Sequence, residues 1–292
     1  MLKKLLIPLL FMLQMPLNAY VIILNGTGSA GKSSLARALS ETLDGNVVVI
    51  SHDSILTELM NREAVNKHGL RSRSQLGKKL WDELYDGICC SQAYDIIIKM
   101  IHAYKECETY LIVDVVIDSE ELNTRFKEAL SKEHCFNVTV YCSPARLVEH
   151  VEKRNKLKNR DELRSVETPL DIYFDMYRVA QPGQPALVLD RKETVEAFKK
   201  AKAMLTGFWN KKELEFLKAL EEDFMNAFEL HEPVEKVHVT PRFGCDFIID
   251  AGLKSPQACA QETQAALKRW RLPQVKRIAV VDDLIEGALS FL

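Results

Sequence analysis

Gly26-Thr27-Gly28-Ser29-Ala30-Gly31-Lys32-Ser33 sets two glycines, a lysine and a hydroxyl at the spacing of a phosphate-binding loop, G-x-x-x-x-G-K-[ST]. Glycines let the backbone curl so that successive N–H groups point at a di- or triphosphate, and Lys32 can reach the outer phosphates. The Ser33 hydroxyl can ligate Mg²⁺, and Ser34 closes the set of expected contacts. The apolar run from Tyr20 to Leu24 comes first, and Ser34-Leu35-Ala36-Arg37-Ala38-Leu39 reads as a helix after it. A strand feeding a glycine turn that opens a helix is the context in which this pattern binds anions. The cofactors implied are ATP and Mg²⁺.

GTPases, ATPase motors and small-molecule kinases share such a loop, so other residues must choose between them. Asn66-Lys67-His68-Gly69 and Asn210-Lys211-Lys212-Glu213 both lack the Asp of a guanine-reading N-K-x-D element. Val113-Asp114-Val115 offers one acid where motors usually carry adjacent ones. A kinase must instead activate an acceptor hydroxyl and close over the phosphates. Asp53, in Val49-Ile50-Ser51-His52-Asp53-Ser54, follows an apolar run and falls at the sheet edge where ligands bind. A carboxylate there can accept the proton of an attacking alcohol. The alternative is that Asp53 or Ser51 caps a helix over Ser54 to Met60. His52 is expected on the other face and outside the chemistry. Arg154 and Arg160 lie on a basic segment after the fourth apolar run, where guanidinium groups can neutralise the transferring phosphoryl group. The alternative for them is a solvated helix of paired charges. Asp114, ending the third strand, is a candidate for holding Mg²⁺ or positioning substrate. The predicted catalytic set is thus Asp53, Lys32, Arg154 and Arg160, with Ser33 and Asp114 at the metal.

These residues need a scaffold that brings them to one edge. Apolar β-branched runs at Tyr20 to Leu24, Val47 to Ile50, Tyr110 to Val115, Val138 to Cys142 and Asp246 to Ile249 alternate with amphipathic stretches. The pattern predicts an α/β chain: a three-layer P-loop NTPase fold, with a mostly parallel sheet and an inserted helical segment. Leu76 to Glu106 carries Leu80, Leu84, Ile88, Ile97 and Ile101 at helical spacing, with a break near Gly87. Ser255-Pro256-Gln257 opens a late helix running to about Trp270. The segment from Lys192 to Leu230 reads as a helical hairpin beside the sheet, and Ile278 to Val281 as a small strand in the tail. The expected organisation is a signal peptide at 1–19, a P-loop kinase domain at 20–190 and 243–272, a helical insertion at 191–242 and a C-terminal tail at 273–292.

Composition bounds the partners. The chain has 292 residues, 47% of them hydrophobic, and a net charge of −2, enough apolar content for a large core and no basic block for nucleic acid. The expected partner is a small-molecule hydroxyl substrate, not nucleic acid. Seven cysteines, an odd number without C-x-x-C, read as free thiols. Met1-Leu2-Lys3-Lys4, an apolar run from Leu5 to Leu13 too short to span a bilayer, and Leu17-Asn18-Ala19 have the shape of a secretory signal, which implies export. The alternative is a cytoplasmic protein starting at Met15.

The stretch from Tyr20 to Ser34 resembles the opening of the chloramphenicol phosphotransferase-like proteins, which begin with a similar I-I-L-N-G-x-x-S-A-G-K-S run. Asp53-Ser54 lies where that family carries a D-S pair, and the resemblance implies that Asp53 is the base that activates the acceptor hydroxyl. Leu111 to Asp114 is similar to the family's third strand, and Arg154 and Arg160 fall where its lid arginines occur. Phe247-Ile248-Ile249-Asp250 with Lys254-Ser255-Pro256 resembles its closing strand and helix. Val115 replaces a second acid of the member named for the antibiotic, and the insertion and tail have no counterpart in short members. The implied activity is therefore ATP-dependent phosphorylation of a small hydroxyl compound, with substrate walls from Ser54 to Leu84 and from the inserted helices. Two alternatives stay open: a nucleotide-sugar or nucleoside kinase of the zeta-toxin type, and a non-catalytic ATP-dependent binding module.

Overall fold

The computed structural model describes residues 19–68, 89–104, 107, 109–131, 135–156, 167–205, 211–231 and 233–270. Five parallel strands form the main sheet: β1 (Tyr20–Asn25), β2 (Asn46–Ser51), β3 (Thr109–Val115), β4 (Cys135–Tyr141) and β8 (Phe247–Asp250), in the order β2-β3-β1-β4-β8. β1 is flanked by β3 and β4, so the connections leaving β1 and β3 cross the sheet in opposite directions. Such a reversal opens a crevice at the carboxyl ends of the strands. β1 and β3 read as unbroken apolar runs because both their faces are covered.

Side chains alternate along β1. Ile22 and Leu24 face one layer, built from α1 (Lys32–Thr42), α5 (Pro144–Asn155) and a helix, α9, over 256–270, with Leu35, Leu39, Val148, Val151 and Leu267 in its core. Val21 and Ile23 face the other, where Tyr94, Ile97 and Ile101 of α3 (Cys90–Tyr104) meet Phe126 of α4 (Glu120–Ala129). Each such buried side chain contributes roughly 1.5–3 kcal/mol. α2 (His52–His68) follows β2 directly.

The five strands predicted for the main sheet are present with small shifts. The fourth runs Cys135–Tyr141 instead of starting at Val138, and the last covers Phe247–Asp250. The helix expected over Ser54 to Met60 starts at His52 and continues to His68. Of the helix expected from Leu76 to Glu106, the described part is α3, with Ile97 and Ile101 buried, while 76–88, the tail strand at 278–281 and the leader at 1–18 lie outside the described residues.

The inserted segment is not purely helical. Its helices α7 (Arg191–Leu205) and α8 (Lys211–Ala227) are framed by a three-stranded antiparallel sheet, in the order β5-β7-β6, of β5 (Tyr177–Val179), β6 (Leu187–Asp190) and β7 (Lys236–Pro241). Strands of three to six residues that pair across some 50 positions leave little period in the local sequence. The hairpin is closed by Phe198 against Phe224, ring centroids 5.0 Å apart, and by an ion pair between Lys202 and Glu221. α6 (Glu167–Met176) leads into β5 and supplies Tyr173, which stacks among Tyr141, Tyr177, Phe224 and Phe228. The insertion therefore shares the core of the main sheet. Among the described residues no disulfide joins the cysteines, and no helix is long and apolar enough to cross a membrane.

Candidate active site

The loop between β1 and α1 is shaped by two left-handed residues, Gly31 at φ +102° and Ser29 at φ +65°. Glycine tolerates this conformation at no steric cost. Gly26 is required for a different reason: a Cβ there would stand 2.4 Å from the Val140 carbonyl oxygen, so only glycine lets the loop seat against β4. Lys32 is 8% exposed and donates from Nζ to the carbonyls of Gly26 at 2.8 Å and Thr27 at 2.9 Å, which holds the curl from within. α1 begins at Lys32, so the helix N-terminus and its unpaired N–H groups face the loop.

Ser33 Oγ donates to Asp114 Oδ2 at 2.6 Å, and Lys32 Nζ lies 3.9 Å from Asp114 Oδ1. The predicted pair at the metal is thus brought together across 81 residues of sequence, because β1 and β3 are neighbours with Leu24 opposite Asp114. Two hard oxygen donors side by side suit Mg²⁺. Ser29 Oγ is buried with no hydrogen-bond partner among the described residues, at the point of the loop where a phosphate oxygen would supply one. Thr27 is buried and Gly28 and Ser34 are accessible, which completes the predicted nucleotide contacts along one curl. These residues fit a Mg²⁺-nucleotide.

Neighbouring elements brace the loop through residues that sequence reading did not single out. The Asn25 side chain accepts from the Ile117 N–H at 2.8 Å and donates to the Ile117 carbonyl at 3.3 Å, locking the turn after β3 to the end of β1. His150 of α5 places Nδ1 3.0 Å from the Ser29 carbonyl. Arg154 sits one helical turn beyond His150 on the same face, exposed, in the last turn of α5. That i, i+4 relation was the available signal for His150. Arg160 lies outside the described residues.

Asp53 stands in the first turn of α2, its side chain 70% exposed. Its neighbour Ser51 takes the capping role weighed for both, accepting the Ser54 N–H at 3.4 Å. Ser51 is opposite Asp114 in the β2–β3 register, so the chain enters α2 at the edge that carries the phosphate loop. His52, by contrast, is buried and stacks on Tyr94 at 4.3 Å, with its Nδ1 3.8 Å from Asp53 Oδ1. Tyr94 in turn donates to the Val116 carbonyl at 2.5 Å, tying α3 to the turn after β3. Burial pushes the Cys142 thiol up to about 12, so that cysteine beside the loop is a packing residue rather than a nucleophile. Burial also raises the carboxyl of Asp250, which ends β8 and accepts the Gly252 N–H at 2.9 Å.

Residues 19–164, half of the chain, match the family model of the chloramphenicol phosphotransferase-like proteins. The chain belongs to this family. It is a P-loop phosphotransferase. Solved structures with similar architecture include shikimate kinase from Aquifex aeolicus (13% identity, 86% of this chain and 98% of that one, TM-score 0.40). Others are the tunicamycin resistance protein of Deinococcus radiodurans (14%, 85% and 95%, 0.37) and a gluconokinase from Sinorhizobium meliloti (14%, 72% and 97%, 0.34). No curated protein matches the chain. The family match ends before α6, so the inserted sheet and helices lie beyond it.

Proposed function

We propose that this phosphotransferase moves the γ-phosphoryl group of ATP to a hydroxyl of a small molecule, with Asp53 as the base. The observation that carries the reading is the β2–β3 register. Ser51, two residues before Asp53, is opposite Asp114, and Asp114 accepts the hydrogen bond of Ser33 in the phosphate loop. Asp53 takes the acceptor's hydroxyl proton as its oxygen bonds to the γ-phosphorus, and the bond from that phosphorus to the bridging oxygen breaks to release ADP. Lys32 and the loop N–H groups hold the phosphates. Ser33 and Asp114 would hold Mg²⁺, which when bound neutralises charge on the phosphate oxygens. Arg154 and Arg160 add positive charge from the lid, and loss of either is expected to cost on the order of 3 kcal/mol of transition-state stabilisation.

The test is acceptor-dependent ADP release over a panel of hydroxylated antibiotics, sugars and nucleosides, with Lys32→Ala as the blank. Asp53→Asn is expected to lower kcat by on the order of 10²- to 10⁴-fold with nucleotide affinity unchanged. Full activity in that variant, or nucleotide binding with no acceptor-stimulated turnover, overturns the assignment. Export belongs to the same reading: protein recovered from the extracytoplasmic fraction is expected to begin at Tyr20, and a cytoplasmic product beginning at Met15 would contradict it.

A further inference from the structure

A recess of about 510 Å³ opens beside the turn after β3, of a size that suits a small organic ligand. One wall is Asp118, Ser119 and Glu120; the other is Asp175 at the end of α6, Arg178 of β5, and Arg242 and Phe243 just past β7. The first wall is at the edge that carries the phosphate loop, since Asn25 fixes Ile117 immediately before Asp118. The second lies wholly outside residues 19–164, the stretch that the family model matches.

The charges of the recess are not spent on each other. Among the described residues no ion pair joins Asp118, Glu120 or Asp175 to Arg178 or Arg242, although carboxylates and guanidinium groups line the same space. Arg242 instead lies over the Phe174 ring at 5.9 Å, and its backbone N–H donates to the Met176 carbonyl at 2.8 Å. Arg178 and Arg242 are close in the fold, because Arg178 is opposite Thr240 in the β5–β7 register and Arg242 follows Thr240 by two residues, just past the end of β7. Burial raises the Asp118 carboxyl, and Asp175 nearby adds to that rise. His52, 5% exposed, is among the groups that act electrostatically on that carboxyl, and its Nε2 has no hydrogen-bond partner among the described residues.

Charges of both signs that line one space without an ion pair between them select ligands by charge. An acceptor bearing only anionic groups meets Asp118, Glu120 and Asp175; one bearing only cationic groups meets Arg178 and Arg242. We infer that the recess is the acceptor subsite and takes a zwitterionic hydroxyl compound, its ammonium toward Asp118 and Asp175 and its carboxylate toward Arg178 and Arg242. This rests on the phosphoryl-transfer reading and gives it a substrate class. Phe243, buried in the second wall, offers apolar contact to the carbon skeleton.

The experiment uses the full chain and three zwitterionic probes, L-serine, L-homoserine and 4-hydroxymethyl-L-phenylalanine. Each is compared with its N-acetyl form, which lacks the cation, its carboxamide, which lacks the anion, and with 1,2,4-butanetriol. Calorimetric binding in the presence of ADP and Mg²⁺ and ADP release with ATP are read separately. At least one zwitterion is expected to bind tenfold or more tightly than both its singly charged forms. Arg178→Gln and Arg242→Gln should abolish the preference over the carboxamide alone, and Asp118→Asn the preference over the N-acetyl form alone. Equal binding across each trio, or a preference that none of these variants moves, overturns the subsite. Charge-selective binding without ADP release leaves the subsite standing and removes the phosphoryl transfer. Turnover of the triol with no charge preference does the reverse.

Discussion

At the scale of single residues, the phosphate loop is held by sterics as much as by hydrogen bonds. Gly26 is the sharpest case, since any side chain there drives a Cβ into the Val140 carbonyl 2.4 Å away and the backbone on both sides must shift. Gly26→Ala is expected to destabilise the protein by about 1–3 kcal/mol and to weaken nucleotide binding together with it. Urea denaturation alongside nucleotide titration checks this, and an unchanged midpoint would refute the close approach. Lys32 differs in kind: its ammonium is buried yet satisfied by two loop carbonyls, so the charge is kept in place for phosphate rather than hidden from water. The chemistry of the loop was legible because each of these residue types has one use at its position.

At the scale of elements, the site depends on how the carboxyl ends of β1, β2 and β3 are locked side by side. Asn25 does this for β1 and β3 with a reciprocal pair of hydrogen bonds to Ile117, itself buried. Asn25→Ala leaves the Ile117 N–H without its partner, an expected cost of about 1–3 kcal/mol. The same change frees the turn that carries Asp118, so KM for the acceptor should rise more than KM for ATP. A parallel rise in both would place Asn25 in general stability only. Ser51 does the equivalent for β2 by capping α2, in whose first turn Asp53 stands.

At the scale of the whole molecule, the inserted helices are part of the main core and not a separate lobe. Phe224 of α8 is fully buried among Phe198, Phe228 and Tyr173, and Tyr173 contacts Tyr141 at the end of β4. Phe224→Ala is expected to cost about 3–5 kcal/mol and to lower a single cooperative unfolding transition. A separate early transition for the insertion, seen by calorimetry, would contradict the shared core. The insertion also delivers Arg242 and Phe243 to the recess, so its integrity and acceptor binding should fall together.

The sequence by itself determined the phosphate loop, the five parallel strands and the acid beside the second strand, because each is written in local spacing: a glycine turn between an apolar run and a helix, a continuous apolar strand, a carboxylate just past it. It also marked Asp114, through its place at the end of an apolar run. Tertiary structure alone decided that Ser33 bonds Asp114, that His150 backs the Ser29 carbonyl, and that short strands β5, β6 and β7 form a second sheet. Those relations join positions from 50 to more than 100 residues apart, and hydrophobic periodicity carries no information about which distant segments meet. The walls of the recess are the clearest instance, for Asp118 and Arg242 become neighbours only when the chain has crossed the sheet, left it for the insertion and returned.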